Sequence, residues 1–192
     1  MKKKLLTLLS IVFIISVFVG CSSNNEASND AGNTNANKVL TIDEAKKKYP
    51  ENTYGTINET LDDGVLIAKL KSYSKDNELK GSVDKVWKSG DDSEFITVKI
   101  DIAASKQPLT EGLYSVSDLF IIEDQDGTQY VANDDITNSI RVERETLDYF
   151  GTINPKVLKE MQVVFEVPKD TKPFRLSIKD EYNDNKWIVA YF

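Results

Sequence analysis

The segment Ser93–Ala104 reads SEFITVKIDIAA and alternates two kinds of side chain. One set is aliphatic throughout: Ile96, Val98, Ile100 and Ile102. The other set is mixed: Phe95, Thr97, Lys99 and Asp101. Successive side chains of a strand point to opposite faces, so this period of two predicts a half-buried β-strand with one apolar face.

Other short runs of strand-forming residues recur on both sides of this segment: 65–73, 81–87, 117–122, 129–132, 139–142, 147–153, 161–167, 174–178 and 187–192. Residues that favour turns separate the runs: 88–92, 124–127, 133–135, 154–155, 168–170 and 183–185. Many short strands at this spacing, without alternating helices, predict an all-β fold, either a sandwich or a barrel.

One short helix is expected near the start of the folded part. Thr41 is a good N-cap, Glu44 follows three residues later, and Pro50 stands beyond three lysines at 46–48. A capping threonine, acids in the first turn and cations in the last turn all stabilise a helix.

The order of four features resembles a known family. They are the long strand 94–104, the Asp126-Gly127 hairpin that closes on Tyr130, the turn at 153–155, and the strand 163–168. Together they resemble the telokin-like, immunoglobulin-like domain of unknown function common in Gram-positive lipoproteins. The resemblance covers about residues 65–192 and implies an antiparallel β-sandwich with no established catalytic centre. Lys156 departs from it, since the family often has glycine there.

The N-terminus carries an export signal. Three lysines at 2–4 precede an uncharged apolar run from Leu5 to Gly20, which is shorter than the ~20 residues that a spanning helix needs. The run ends in Phe18-Val19-Gly20-Cys21, which resembles a lipobox, the site at which a bacterial signal peptide is removed and the cysteine is acylated. Cys21 is the single cysteine of the chain. We therefore predict a lipid anchor at Cys21, with palmitate among its acyl chains, on the extracellular face of the cell membrane. The alternative is an ordinary signal peptide with a chance cysteine.

The segment after Cys21 is polar. Residues 22–38 contain no aliphatic side chain larger than alanine, so they cannot bury a core and are expected to form a disordered tether. The predicted organisation is a signal peptide at 1–20, the lipidated cysteine and tether at 21–38, and a single domain at 39–192. Within that domain, 39–64 is an extension with the short helix and 65–192 is the sandwich.

Composition excludes several functions. The chain carries a formal charge of −7, and cleavage before Cys21 would remove three lysines and no acid. Basic residues are scattered apart from 46–48, which argues against a nucleic-acid partner. The chain has no histidine and only Cys21 as cysteine, which excludes histidine-based nucleophile systems and His/Cys sites for zinc or haem. We therefore predict no enzyme, no cofactor and no metal site. A carboxylate pair remains open as the alternative chemistry.

Two local patterns carry competing interpretations. The acidic turn 123–127 could begin a calcium loop, but no bidentate glutamate follows, so a hairpin turn is favoured. Trp87 and Trp187 could line a ligand groove, although aromatic residues at strand spacing are more often core.

The last strand is apolar on both faces. Trp187, Val189 and Tyr191 alternate with Ile188, Ala190 and Phe192. We expect one face to fill the sandwich core and the segment 39–61 to cover the other. The competing hypothesis is an exposed apolar patch that binds a partner.

Three function classes follow. The leading one is a non-catalytic, membrane-anchored module that binds a protein, a peptide or a cell-wall component. The alternatives are a carboxylate-dependent cell-wall hydrolase and a calcium-dependent surface domain.

Overall fold

Two β-sheets pack face to face in the computed structural model of the chain, which describes residues 39–81, 84–110, 115–144, 151–184 and 186–192. The predicted signal peptide, Cys21 and the tether lie outside the described residues. The described part belongs to one compact unit.

The helices and strands follow one another in this order: α1 (Ile42–Lys48), β1 (Thr53–Thr56), β2 (Leu61–Asp62), β3 (Leu66–Asp76), β4 (Glu78–Lys80), β5 (Val86–Lys88), β6 (Ser93–Ala104), α2 (Val116–Leu119), β7 (Phe120–Asp124), β8 (Gln129–Val131), α3 (Asp134–Arg144), β9 (Lys159–Pro168), β10 (Pro173–Asp180) and β11 (Lys186–Tyr191). One sheet has the order β1-β11-β10-β7-β8 and the other has the order β2-β3-β6-β9. The pair β4-β5 forms a small separate hairpin.

The strand pairing is that of an immunoglobulin-like sandwich. In that fold one sheet contains neighbours A, B and E, and the other contains C, F and G. Here β3, β6 and β9 are neighbours in one sheet, and β7, β10 and β11 are neighbours in the other. All these pairs are antiparallel, whereas β1 adds to β11 in parallel. The expected β-sandwich with a short N-terminal helix is therefore confirmed.

The core lies between the inner faces of the two sheets. Its fully buried members come from both sheets, and include Ile100 and Val163 from one and Ile122, Leu176 and Ile188 from the other. Burying such side chains contributes about 1.5–3 kcal/mol each, so this interface supplies most of the favourable free energy of folding.

The predicted strand-like runs are wrong at two places. The run 139–142 was expected as a strand and 133–135 as a turn, but both belong to α3 and its cap. The cap is Asn133, whose side-chain carbonyl accepts from the backbone N–H of Ile136 at 3.1 Å. Part of 117–122 is the one-turn helix α2, and β7 begins only at Phe120. In chain order α3 stands between the strands equivalent to C and E, where an immunoglobulin domain has strand D.

Helix α3 also explains a second correction. The strand β6 was expected to be buried on one face only, yet Phe95 and Thr97 are as buried as Ile96 and Val98. Phe95 packs with Ile136 and Ile140 of α3 in a second small core. The outer face of this half of β6 is therefore covered.

Other predicted elements are shorter in the structure or lie partly outside the described residues. The run 81–87 reduces to β5, and residues 82–83 lie outside the described residues. Of the run 147–153, residues 147–150 lie outside them and Ile153 forms only an isolated bridge with Leu109. Lys156 has a φ of 57°, a left-handed conformation that glycine adopts more readily than other residues.

The N-terminal segment covers the outer face of β11, as expected. Helix α1 has the full capping box between Thr41 and Glu44. Ala45 and Tyr54 pack with Val189 and Tyr191 in a third apolar cluster. The exposed apolar patch considered as the alternative is therefore excluded for these residues.

Candidate functional site

A groove of about 390 Å³ lies on the outer face of the five-stranded sheet. The N-terminal segment forms one wall, and the strands β7, β8, β10 and β11 form the floor. The lining residues are Tyr49, Glu51, Asn52, Tyr54, Ile121, Gln129, Arg175, Ser177, Trp187 and Val189.

Strand alternation explains why these side chains meet. On β10, Leu176 and Ile178 point into the sandwich core, so Arg175 and Ser177 point outward into the groove. On β11, Ile188 belongs to the core and Trp187 and Val189 face the groove for the same reason.

The wall of the groove is held in place by hydrogen bonds around Asn52. Its side-chain carbonyl accepts from the backbone N–H of Trp187 at 3.0 Å, and its amide nitrogen donates to the Tyr54 hydroxyl at 3.4 Å. The Tyr54 hydroxyl in turn donates to the backbone carbonyl of Tyr49 at 3.2 Å. Burial raises the pKa of Tyr54, so this hydroxyl stays protonated and keeps its donor role at neutral pH.

The floor carries a paired cation. Arg175 Nη2 lies 2.9 Å from Glu123 Oε2, and Gln129 Nε2 donates to the same oxygen at 3.0 Å. Burial lowers the pKa of Arg175, but hydrogen bonds to Glu123 and Tyr191 outweigh it and the pKa is raised. Arg175 Nε is buried without a hydrogen-bond partner. The ion pair of Arg175 with Glu123 brings no net charge to the floor.

Aromatic rings border the groove at different depths. Tyr49 is 42% exposed, Tyr54 is 9% exposed, and Trp187 is half-buried. The two tryptophans considered from the sequence thus differ: Trp187 lines the groove, whereas Trp87 packs against the second core beneath Lys85.

The acidic turn 123–127 is a hairpin. Asp124 Oδ1 accepts from the backbone N–H groups of Asp126 and Thr128, both at 2.9 Å, and Oδ2 accepts from the Tyr130 hydroxyl at 3.0 Å. Gly127 has a φ of 83°, which the turn requires. The Asp124 carboxylate is thus used within the turn. Across the described ranges, no group of three or more acidic or thiol side chains is placed to hold a metal ion.

A buried pair of carboxyl groups lies among the described residues, formed by Asp63 and Asp180. Asp180 is only 1% exposed, and its burial together with the neighbouring Asp63 carboxyl raises its pKa to about 7. Glycoside hydrolysis needs its two carboxyls about 5–10 Å apart with the sugar between them. This pair leaves no such space.

The residue predicted as the lipid anchor, Cys21, is not among the described residues. In the part of the chain that the structure does describe, no helix has the length and apolar character to cross a bilayer. Sequence reasoning missed Arg175 and Asn52, and it considered Glu123 only as part of the acidic turn. The roles of these residues depend on partners far away in the chain.

Neither a protein-family model nor a curated protein sequence matches the chain. Among solved structures it is similar to an uncharacterised β-sandwich protein of Clostridium difficile, with 17% identity, a TM-score of 0.46, and coverage of 73% of this chain and 94% of that one. It is also similar to the secreted Mycobacterium tuberculosis protein MPT63, with 13% identity, a TM-score of 0.49, and coverage of 73% and 98%. The Bacillus subtilis candidate lipoprotein YcdA has 21% identity, a TM-score of 0.44, and coverage of 72% of this chain and 37% of that one. These likenesses concern the fold alone, and the assignment of a sandwich rests on the strand pairing above.

Proposed function

We propose that the protein is a non-catalytic binding module, anchored by lipid on Cys21 to the outer face of a bacterial membrane, whose groove binds a saccharide of the cell wall. It would then be one of the telokin-like, immunoglobulin-like domains of Gram-positive lipoproteins. The observation that carries the proposal is the groove itself, in which aromatic rings and fixed polar groups lie side by side.

The composition of the groove favours a saccharide over an anionic ligand. The C–H faces of a sugar ring pack on aromatic faces, and its hydroxyls exchange hydrogen bonds with amide, carboxylate and guanidinium groups. Tyr49 offers such a face, while Asn52, Gln129 and Ser177 offer polar groups. Because Arg175 is paired with Glu123, the floor has no free charge to attract a polyanion or an acidic peptide.

The anchor proposal rests on the sequence around Cys21. The apolar run before it ends at the only cysteine in the chain, and the polar segment 22–38 would act as a spacer. A lipid on Cys21 would place the domain within reach of the wall.

Binding is tested by titrating purified soluble fragments of cell-wall glycan into the protein and following the intrinsic fluorescence of Trp187 and Trp87. The key variant is Tyr49→Ala, and the matched control is Tyr73→Ala, since that tyrosine is 41% exposed and lies on β3 of the other sheet. Loss of one aromatic stacking contact should weaken binding about fivefold. Equal affinities of the two variants would place the ligand elsewhere, and absence of binding to any wall glycan would refute the saccharide.

The anchor is tested by replacing Cys21 with alanine. No other cysteine can accept the lipid, so the variant should be exported but should leave the detergent phase. Detergent partitioning equal to that of the wild type would refute the anchor.

Release of dye from labelled peptidoglycan by the purified protein would instead reveal the alternative, a carboxylate hydrolase. A rise in melting temperature with calcium would support the other alternative, a calcium-dependent domain.

A further inference from the structure

The carboxyl groups of Asp63 and Asp180 meet at one end of the sandwich. Asp63 lies in the loop between β2 and β3, which belong to the four-stranded sheet. Asp180 is the last residue of β10 in the five-stranded sheet. The Asn183 side-chain amide also donates to the backbone carbonyl of Asp63 at 3.3 Å, so the two turns are in direct contact. The pair therefore joins one sheet to the other.

Each carboxyl group has one satisfied and one unsatisfied oxygen. Asp63 Oδ1 accepts from the backbone N–H groups of Val65 at 2.9 Å and Leu66 at 2.8 Å. Asp180 Oδ1 accepts from the backbone N–H of Tyr182 at 2.8 Å. The Oδ2 atoms of both residues are buried, and no N–H or O–H of another residue reaches them. Buried oxygens without a donor are costly, so two of them in one place need an explanation.

A shared proton supplies the missing donor. Two carboxylates can only accept, so a hydrogen bond between them requires that one be protonated. We propose that Asp63 and Asp180 hold one proton between them, and that this proton clamps the two sheets together at this end of the domain and is released as the solution becomes neutral to alkaline. The proposal is independent of the function of the groove.

The surroundings favour the protonated pair. Burial, and then the hydrogen bond and the charge of Asp63, raise the pKa of Asp180 to about 7. Hydrogen bonds from the backbone N–H groups of Tyr182 and Asn183 lower the pKa of Asp180, but their effect is smaller than that of burial and Asp63.

Charged and titratable groups on the neighbouring elements are engaged elsewhere or stand further off. Asp62 Oδ2 accepts from the Ser105 hydroxyl at 3.1 Å, and Lys186, opposite Asp180 on β11, donates to Asn183 Oδ1 at 3.3 Å. Glu181 is exposed in the turn after β10. Lys106 and Tyr182 line an adjacent cleft of about 360 Å³. Apart from the backbone N–H of Tyr182, none of these groups is among the causes that set the pKa of Asp180.

The sign of the pH dependence follows from the raised pKa. Asp180 has its ordinary pKa of 3.8 when unfolded and about 7 when folded. Between these values the folded state holds a proton that the unfolded state has lost, so raising the pH through this window destabilises the folded state. The stabilisation is complete below the unfolded pKa of 3.8, declines as the pH rises through this window, and is fully lost once the pH has passed about 7. Above that pH, two adjacent carboxylates repel each other across the junction of the sheets.

The experiment is thermal unfolding of the full chain in detergent between about pH 5 and pH 8, for the wild type, Asp180→Asn and Asp62→Asn. In the wild type, raising the pH over that range should lower the melting temperature by about 5 °C, because the pair loses its proton. Asparagine at position 180 can donate to Asp63 at every pH, so Asp180→Asn should lose this component and melt above the wild type at about pH 8. Asp62→Asn, one residue from Asp63, should keep the wild-type slope.

Three results would overturn the proposal. The first is a melting temperature of Asp180→Asn that falls with pH as steeply as that of the wild type. The second is a wild-type melting temperature that does not fall between about pH 5 and pH 8. The third is stabilisation of the wild type at about pH 8 by millimolar calcium that Asp180→Asn abolishes, which would make the pair a cation site. If Asp180→Asn fails to fold, Asp63→Asn tests the same proton. Carbon NMR of the aspartate carboxyls in the wild type gives a readout without mutation, since Asp180 should titrate near pH 7. Titration of Asp180 near pH 4 would refute the shared proton.

Discussion

The cover formed by the N-terminal segment can be tested at Tyr54. This side chain is 9% exposed and lies between α1 and the outer face of β11, in the cluster with Ala45, Val189 and Tyr191. Truncating a fully buried aromatic side chain costs about 3–5 kcal/mol. Tyr54 also borders the groove, where a cavity can fill with water, so Tyr54→Ala should cost about 3 kcal/mol, near the lower end of that range.

Two further variants separate the causes. Tyr54→Phe keeps the ring and removes the hydroxyl that donates to the Tyr49 carbonyl, which should cost about 1 kcal/mol. Tyr49→Ala removes an aromatic ring of the same size from the same segment, but that ring is 42% exposed, so the cost should stay below about 1 kcal/mol.

The assay is urea unfolding followed by tryptophan fluorescence, because Trp187 packs against the same cluster. For a domain of this size, Tyr54→Ala should also lower the melting temperature by roughly 6–12 °C. New binding of a hydrophobic dye is expected in Tyr54→Ala, since the face of β11 becomes accessible. Equal stabilities of Tyr54→Ala and Tyr49→Ala, without dye binding, would show that the segment does not cover the strand.

Three other substitutions test the helices. Thr41→Ala removes the capping box of α1 and should cost about 1 kcal/mol in urea unfolding, and an unchanged midpoint would argue that the cap contributes nothing. Asn133→Ala removes the side-chain cap of α3 and should cost a similar amount. It should also increase amide hydrogen exchange in this helix more than elsewhere. An equal increase throughout the domain would contradict a local role. Gly81→Ala would place its new Cβ against Ser139 of α3 and should cost about 1–3 kcal/mol. Adding Ser139→Ala should restore part of that loss, and full additivity of the two changes would refute the contact.

The sequence by itself predicted those elements whose cause is local. The period of two in β6 identifies that strand to the residue, the capping box identifies α1, and the Asp-Gly pair identifies the hairpin at Gly127. The apolar character of both faces of β11 was also sufficient to predict that something must cover it. In each case the signal lies within about twelve neighbouring residues, and backbone geometry converts it directly into structure.

Helix α3 shows where local signals were insufficient. Ile136 and Ile140 have the i, i+4 spacing of a helix, but the segment is short and polar, and its last apolar residues also fit a strand. Packing against β9 decides between the two: the Val164 N–H donates to the Thr137 hydroxyl, and the Asn133 N–H donates to the Val164 carbonyl. These partners are more than twenty residues away along the chain.

The groove and the carboxyl pair depend on the tertiary structure alone. Asn52 and Trp187 are separated by 135 residues along the chain, and their contact exists only because β1 pairs with β11. Asp63 and Asp180 meet because the two sheets end together, and only their burial turns two ordinary acids into a pair that holds a proton. The sequence contains many such residues and does not show which of them come together. The packing of the two sheets determines which residues share a site and how deeply they are buried.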